Sequence, residues 1–325
     1  MAEAVLKVQD LHTHFITRNG VIKAVTGVNF ELNHRTILCV VGESGSGKSA
    51  TAHSILRVIP NPGRIVKGAI YLEGVDLLRL GNKQLRNIRG KDISMTLQDP
   101  HTALDPSSSI GDQLEETLRA HVKMSRREAW IASIKLLEEL DLPDAPKLME
   151  RYPFQISGGM SQRVVLAIAL AHNPKVLIAD EPTSSLDLTV QASILEQLRK
   201  RKDKYGTSIV LITHDMGIVA KMADQVAVMY AGSIVEYANR RALFQSPSHP
   251  YTWGLLESSP KIDSSPRVLR SIRGSPPSLL DPADQCPFLV RCPKATSVCR
   301  LSPRPQLKEV EPNHYVACYN EIRYD

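Results

Sequence analysis

A glycine-rich segment near the N-terminus has the residue types and spacing that phosphate binding requires. The pattern G-x-x-x-x-G-K-[ST] is fitted by Gly42, Glu43, Ser44, Gly45, Ser46, Gly47, Lys48 and Ser49. Its glycines let backbone N–H groups turn toward an anion without a Cβ clash, and a following helix adds partial positive charge at its N-terminus. Lys48 supplies a full charge for the β- and γ-phosphates, and Ser49 offers a hydroxyl to Mg²⁺. This phosphate loop therefore predicts a nucleoside triphosphate site.

Two carboxylates and a histidine follow apolar segments further along the chain. The run 176–179 ends at Asp180 and Glu181, and the run 209–212 ends at Thr213 and His214. Asp180 is predicted to orient the hydration shell of Mg²⁺, and Glu181 to polarise an attacking water. His214 is predicted to contact the γ-phosphate and to hold the pair of water and Glu181. A histidine at a strand end also has a structural reading, so its role depends on the neighbouring motifs.

The strands and helices that must position these groups are predicted to form an α/β fold. Segments 36–41, 176–179 and 209–212 are apolar almost throughout, as strands buried on both faces of a parallel sheet are. Each ends at polar or glycine residues, which predicts a site at the carboxyl edge of that sheet. Earlier segments alternate between apolar and polar residues, and the stretch 107–172 has helical spacing. This order favours a helical insert within an α/β domain.

Composition excludes several classes of protein. Hydrophobic residues make up 42% and charged residues 23% of the 325 positions, which excludes a disordered or fibrous chain. The longest apolar run covers residues 164–171, whereas a spanning helix needs about 20 residues. No secretory signal is visible at the N-terminus, so the protein is expected to stay in the cytoplasm. The net charge of +6 comes without a dense basic block, so nucleic acid is not a predicted partner.

A further motif, at residues 156–163, identifies a family. Its sequence Ile-Ser-Gly-Gly-Met-Ser-Gln-Arg resembles the signature motif of ABC ATPases, and with the motifs above the chain resembles an ABC transporter nucleotide-binding subunit over about residues 5–240. The resemblance implies that Ser157, Gly158 and Gly159 begin a helix facing the γ-phosphate held by the opposite subunit, so that two chains enclose two nucleotides. Met160 replaces the usual glutamine, and Ile156 replaces leucine. The serine and glycines remain, so this site is expected to be usable.

The same resemblance assigns two more positions and the architecture. Gln98 resembles the Q-loop glutamine, which contacts Mg²⁺ or water and couples the helical insert to the membrane partner. Phe15 occupies the place of the aromatic residue that stacks on adenine, with core packing as the alternative. Ser49, Gln98 and Asp180 are the implied Mg²⁺ ligands. The implied fold is a P-loop NTPase core with an antiparallel β subdomain and a helical insert at about 99–165.

Three segments narrow the resemblance to the dipeptide/oligopeptide (peptide/nickel) importers and their D-type ATPase subunit. They are residues 98–106, 248–256 and 274–279. The implied function is ATP hydrolysis that powers peptide import from the cytoplasmic face of the membrane. The implied partners are two transmembrane permease subunits, a second homologous ATPase in a heterodimer and, indirectly, an extracytoplasmic solute-binding protein. Nickel, a glutathione-type peptide or an opine-like solute remain alternative cargoes. A non-transport ABC ATPase is disfavoured by the single cassette and the lack of heptads.

Four of the five cysteines lie in a proline-rich C-terminal extension. We place the nucleotide-binding domain at residues 1–240 and this extension at 241–325, where Cys286, Cys292, Cys299 and Cys318 are found. Disulfides are disfavoured in a reducing cytoplasm, and zinc sites usually contain Cys-x2–4-Cys pairs, which are missing here. A [4Fe–4S] cluster takes four thiolates, and related peptide-importer subunits carry one in this region. We therefore predict such a cluster, with zinc and free thiols as alternatives.

Overall fold

The computed structural model describes residues 4–184, 186–259, 271–282 and 284–322, so the predicted extension lies partly outside the described residues. These residues form two compact units. One unit contains residues 79–211 with two short segments that precede them, and the other contains residues 6–32, 36–78 and the part that follows residue 211. Among the described helices, none combines the length and the apolar character that a bilayer crossing requires.

Strands and helices alternate along most of the chain. The strands are β1 (Ala4–Thr17), β2 (Gly20–Asn33), β3 (Ile37–Val41), β4 (Gly63–Leu72), β5 (Val75–Asp76), β6 (Ile93–Thr96), β7 (Val176–Asp180), β8 (Ser208–Thr213), β9 (Gln225–Tyr230), β10 (Ser233–Asn239), β11 (Lys308–Glu311) and β12 (His314–Val316). The helices are α1 (Lys48–Leu56), α2 (Asn82–Ile88), α3 (Pro100–Ala103), α4 (Ile110–His121), α5 (Arg126–Glu139), α6 (Ala145–Met149), α7 (Gly158–Leu170), α8 (Leu188–Tyr205), α9 (Met216–Met222), α10 (Arg240–Gln245), α11 (Pro250–Glu257) and α12 (Ser297–Leu301).

The unit that contains the phosphate loop is built on two sheet regions. An antiparallel sheet has the strand order β2-β1-β4-β5, as predicted for the β subdomain. In the second region β3 pairs in parallel with β9, and β10, β12 and β11 follow in antiparallel pairing. Every residue of β3 is buried, which explains its unbroken apolar sequence. The loop at residues 42–49 thus begins where a buried parallel strand ends.

The C-terminal extension is more ordered than the proline-rich sequence suggests. Its hairpin of β11 and β12 joins the sheet through β10, where Glu236 is opposite Val316. The fully buried carboxylate of Glu236 accepts hydrogen bonds from the backbone N–H groups of Ser248 and His249, at 2.7 and 2.9 Å, and lies 2.7 Å from His314 Nε2. This hairpin was not predicted from the sequence, because strands of three and four residues leave little pattern there.

The other unit contains the strands β8-β7-β6 in that order, with β6 and β7 parallel, and the predicted helical stretch. Helices α4, α5 and α7 pack on one another. Serine side chains begin all three: Ser109 accepts from Asp112 N, Ser125 from Glu128 N, and Ser157 from Met160 N. Such caps satisfy backbone N–H groups that have no partner within the helix. The buried strand β7 ends at Asp180, as its apolar sequence predicts.

Candidate nucleotide-binding site

The phosphate loop is held by close contacts to neighbouring backbone. Gly47 has φ +102°, and a Cβ there would lie 2.3 Å from Ala24 O. Gly42 has φ +155°, and a Cβ would lie 2.1 Å from Met229 O. Only glycine fits at either position, because any side chain would overlap a carbonyl oxygen. The tip is different: Ser44 and Gly45 are exposed, and nothing lies within 4 Å of the Cβ position at Gly45. The loop is therefore fixed at its ends and open at its tip.

Lys48 is the first residue of α1 and is almost entirely buried. Its Nζ donates to the carbonyl oxygens of Gly42 and Glu43, at 2.8 and 2.9 Å, and lies 3.4 Å from the hydroxyl of Ser46. The ammonium thus lies over the loop, next to the N-terminus of a helix, where both its charge and the orientation of the N–H groups in the first helical turn favour an anion. Ser49, the next helical residue, is half-buried. This arrangement can bind a polyphosphate.

The structure brings two of the predicted catalytic residues into direct contact. Gln98 Nε2 donates to Glu181 Oε2 at 3.0 Å. Glu181 follows the last residue of β7 and has φ +45°, a conformation that is uncommon for a residue with a side chain and that concentrates at functional sites. Asp180, just before it, is buried at the strand end. The oxygens of Asp180, Gln98 and Ser49 are of the type that Mg²⁺ prefers.

The remaining predicted residues lie on exposed or half-buried surface. His214 follows β8 directly and is exposed, and Asp215 next to it caps α9. Phe15 is half-buried on β1 opposite Gly63, where a Cβ would lie 2.8 Å from the Phe15 ring. His214, Phe15 and the phosphate loop belong to one compact unit, whereas Gln98, Asp180 and Glu181 belong to the other.

The signature turn, residues 156–160, begins helix α7. Ser157 is its N-cap, and its Oγ accepts from Met160 N at 3.4 Å. Gly158 is exposed and has nothing within 4 Å of its Cβ position, whereas a Cβ at Gly159 would lie 3.1 Å from Val190. The helix N-terminus thus presents its N–H groups and a bare glycine at the surface, an arrangement suited to an anion from outside the chain.

The four cysteines of the extension line one pocket. Cys286, Cys292, Cys299 and Cys318 surround it together with largely apolar neighbours that include Phe288. Burial, which is the largest effect, raises the pKa of Cys286 and Cys292, and it raises the pKa of Cys318 to about 12. Within the described residues, no three or more His, Cys, Asp or Glu side chains are arranged to hold a metal ion. The donor types suit a thiolate-bound centre, but its geometry is not present.

Sequence reasoning missed two residues that contact the phosphate loop. Arg291 contacts the carboxylate of Glu43, and the hydroxyl of Tyr251 accepts from Glu43 N at 2.9 Å. Neither position belongs to a nucleotide-binding motif in the sequence, and both are more than 200 residues away from the loop. No spacing pattern could have found them.

Comparison with known proteins identifies the class that these motifs define. The family model for ABC transporters matches residues 25–184. The dimeric post-hydrolysis structure of the ATP-binding cassette MJ0796, bound to ADP and Pi, has a TM-score of 0.66 at 25% identity and covers 73% of this chain and 99% of its own. The fold is thus that of an ABC ATPase, which confirms the predicted P-loop core and ATP hydrolysis.

Matches that include the C-terminal extension identify a narrower family. The model for the oligopeptide/dipeptide transporter C-terminal region matches residues 235–299. The dipeptide transport ATP-binding protein DppD of Bacillus subtilis is 46% identical over 98% of this chain and 95% of its own length. The oligopeptide transport ATP-binding protein OppD of Escherichia coli is 44% identical over 99% and 94%. The chain belongs to the ATP-binding subunits of ABC transporters, in the oligopeptide/dipeptide transporter family.

Proposed function

We propose that this chain hydrolyses ATP to power the import of dipeptides or oligopeptides, working at the cytoplasmic face of the membrane beneath two transmembrane permease subunits. The observation that carries the proposal is likeness over nearly the whole chain, extension included, to subunits named for peptide transport. Closure of an ATPase dimer around ATP would move permease helices that contact the helical insert, and hydrolysis would reopen it. An extracytoplasmic solute-binding protein would deliver the peptide without touching this chain.

The hydrolytic step depends on the contact between Gln98 and Glu181. The carboxylate of Glu181 would orient or polarise the attacking water, and the Gln98 amide, which donates to it at 3.0 Å, would fix its direction. Lys48 would neutralise the β- and γ-phosphates, and exposed His214 would contact the γ-phosphate. Mg²⁺, held by Ser49, Gln98 and Asp180, supplies charge neutralisation of the phosphates when bound. Phe15 would stack on adenine.

Replacing one carboxylate tests this mechanism. Glu181→Gln should keep ATP binding while the steady-state hydrolysis rate falls by about 100-fold or more, because a neutral amide does not polarise water. Glu138→Gln is the matched control, since Glu138 is an exposed glutamate on α5 and is not one of the predicted site residues. ATP binding is measured on the purified full chain, and hydrolysis is measured on the transporter complex that contains it. Turnover by Glu181→Gln at the wild-type rate would contradict the role.

The signature turn is proposed to act on the partner's nucleotide. Ser157, Gly158 and Gly159 would contact the γ-phosphate held by a second, homologous ATPase subunit, in a heterodimer. The exposed helix start supports this, as does the dimeric state of the structural relative bound to ADP and Pi. Co-purification from membranes tests it: two permease subunits and a second ATPase should accompany the chain. If this chain is recovered as a homodimer on the permease, without a second ATPase, the proposal of a heterodimer is wrong.

The transported solute is tested separately from the ATPase. Cells that lack this chain should lose uptake of labelled dipeptides and oligopeptides, and the wild-type gene should restore it while the Glu181→Gln variant should not. Uptake of nickel and of glutathione is measured in the same cells to test whether either of these alternative cargoes is transported. Loss of nickel uptake with intact peptide uptake would overturn the peptide assignment.

A [4Fe–4S] cluster in the extension is part of the proposal. Four cysteines share one pocket with apolar surroundings, which is the donor set such a cluster uses, and their thiolates would hold it. Bound there, it would cross-link a segment with little apolar core of its own. Anaerobically purified protein should contain about four iron and four sulfide per chain, and Cys299→Ser should lower both. An iron content near zero in the wild-type protein would contradict the cluster. Bound zinc without iron would instead favour the zinc site named above as an alternative.

A further inference from the structure

Arg291, in the extension between Cys286 and Cys292, reaches the phosphate loop. Its side chain is only 6% exposed. Nη1 donates to Glu43 Oε2 at 2.8 Å and Nη2 donates to Glu43 Oε1 at 3.1 Å, so the guanidinium and the carboxylate form a bidentate pair. Nε donates to Arg273 O at 2.9 Å, and Nη1 also lies 3.1 Å from the hydroxyl of Tyr230. The guanidinium therefore has one fixed orientation, set by planar donors that match the carboxylate.

Glu43 is held at every polar group it has. Its side chain accepts from Arg291, its N–H donates to the hydroxyl of Tyr251 at 2.9 Å, and its carbonyl accepts from Lys48 Nζ at 2.9 Å. The motif G-x-x-x-x-G-K-[ST] leaves this position open, so phosphate binding itself does not require a glutamate here. The carboxylate of Glu43 thus attaches the loop to Arg291, and it is not needed for binding the phosphates.

An aromatic cluster lies beside the pair, with the guanidinium carbon of Arg291 5.8 Å from the ring centroid of Tyr230 and 6.0 Å from that of Phe288. The ring centroids of Tyr230 and Tyr251 are 4.5 Å apart, and Phe288 lies 5.3 Å from Tyr230 and 5.4 Å from Tyr251. Charged hydrogen bonds are stronger where such side chains exclude water, and a charge left there without its partner is costly. Removal of the guanidinium would leave the Glu43 carboxylate partly buried next to the site of the triphosphate.

The segment that carries Arg291 is a hydrogen-bonded turn between the two cysteines. Leu289 N donates to Cys286 O at 3.0 Å, and Arg291 N donates to Phe288 O at 3.0 Å. The position of the guanidinium is thus set by the same short turn that places Cys286 and Cys292 on the shared pocket. Within the described residues, this turn contacts the phosphate loop through the side chain of Arg291, and the hydroxyl of Tyr251 is a second contact from the extension.

We propose that Arg291 is a positioning residue for ATP: by holding Glu43 it keeps the phosphate loop in its binding conformation, so the extension sets the affinity of the site for nucleotide. The residue does not touch the reacting atoms. It acts on the free protein before nucleotide arrives, and so it affects binding more than the chemical step. This inference rests on ATP being the ligand of the loop.

A four-member set of variants tests this role, with the Kd measured on the purified full chain and with KM and kcat measured on the transporter complex that contains it. Arg291→Ala should raise the KM for ATP and the Kd for a fluorescent ATP analogue by about tenfold, with kcat within about twofold of wild type, because the unpaired carboxylate repels the phosphates and the loop loosens. Glu43→Gln alone should have a smaller effect. In the Arg291→Ala background, Glu43→Gln should recover part of the lost affinity, because it removes the uncompensated charge. Arg300→Ala, on an exposed arginine of the same extension, is the control.

The outcomes separate this inference from the proposed function. Wild-type Kd and KM in a folded Arg291→Ala protein would overturn the positioning role while leaving ATP hydrolysis intact, as would strictly additive effects of the two substitutions. A wild-type chain that does not bind ATP would instead overturn the proposed function. If Arg291→Ala does not fold, Arg291→Lys serves: it keeps the charge but loses the bidentate geometry, so it should weaken ATP binding about threefold, and unchanged binding would count against the role.

Discussion

Two glycine-rich turns begin helices in this protein, and they use glycine for different reasons. At the phosphate loop the fold itself demands it, since side chains at Gly42 and Gly47 would overlap the carbonyl oxygens of Met229 and Ala24. At the signature turn Gly158 has open space around it. Gly42 and Gly47 are therefore explained by contacts within the chain, whereas Gly158 is not. A bare helix start with no internal reason to be bare is what binding of an external anion would require.

The largest effect is expected from a methyl group at Gly47. Gly47→Ala adds a Cβ 2.3 Å from Ala24 O at φ +102°, so we expect a loss of about 2–4 kcal/mol in the free energy of unfolding. ATP binding should weaken at least tenfold, because the loop must shift to relieve the overlap. Denaturant unfolding and titration with a fluorescent ATP analogue measure the two effects.

Gly45→Ala is the matched control for that experiment. Gly45 also has a positive φ, +76°, but nothing lies within 4 Å of its Cβ position. Only the cost of the left-handed backbone remains, about 1 kcal/mol. Equal destabilisation by the two substitutions would show that overlap with Ala24 is not what requires glycine at position 47.

At the signature turn the contrast predicts loss of activity without loss of stability. Gly158→Asp places a negative charge in the first turn of α7. Because the helix dipole stabilises a negative charge at this end, the free energy of unfolding should be unchanged or slightly higher. ATP hydrolysis should fall more than tenfold, because that charge would lie near the partner's γ-phosphate. Gly158→Asn has nearly the same shape without the charge and should lose much less. Equal rates for the Asp and Asn variants would argue against a phosphate at this helix start.

The sequence was informative where chemistry is local. Short patterns identify the phosphate loop at residues 42–49, the acids at the end of β7 and the helix start at Ser157, because each depends on neighbours a few positions away. The pair of Arg291 and Glu43 joins positions 248 apart, and nothing local distinguishes Arg291 from the other arginines. The hairpin of β11 and β12 was missed for a related reason, since β12 pairs with a strand whose residues lie about 80 positions earlier, with Glu236 opposite Val316. The direct contact between Gln98 and Glu181 was not predicted, since the family resemblance implied only that Gln98 contacts Mg²⁺ or water.

Support of the phosphate loop from within its own unit also predicts a sensitivity to acid. His249 caps α11 by accepting from Tyr251 N at 3.0 Å, and the Tyr251 hydroxyl in turn accepts from Glu43 N. Burial lowers the pKa of His249 to about 4, with partial opposition from Glu236. The signature turn depends on the hydroxyl of Ser157, which does not titrate. Acid should therefore weaken the support of the phosphate loop first.

The folded and the unfolded protein protonate His249 at different pH values, so the stability of the fold depends on pH. The unfolded chain protonates His249 near its ordinary pKa of about 6.5, whereas the folded protein resists protonation down to about pH 4, so stability falls as the pH drops through that window. Between pH 7.5 and 5.5 this one residue should cost about 1 kcal/mol of unfolding free energy. His249→Asn keeps a capping acceptor that does not titrate, so its stability should fall by about 1 kcal/mol less over that interval. Urea unfolding of both proteins at the two pH values measures the difference, and parallel losses would mean that His249 is not the group responsible.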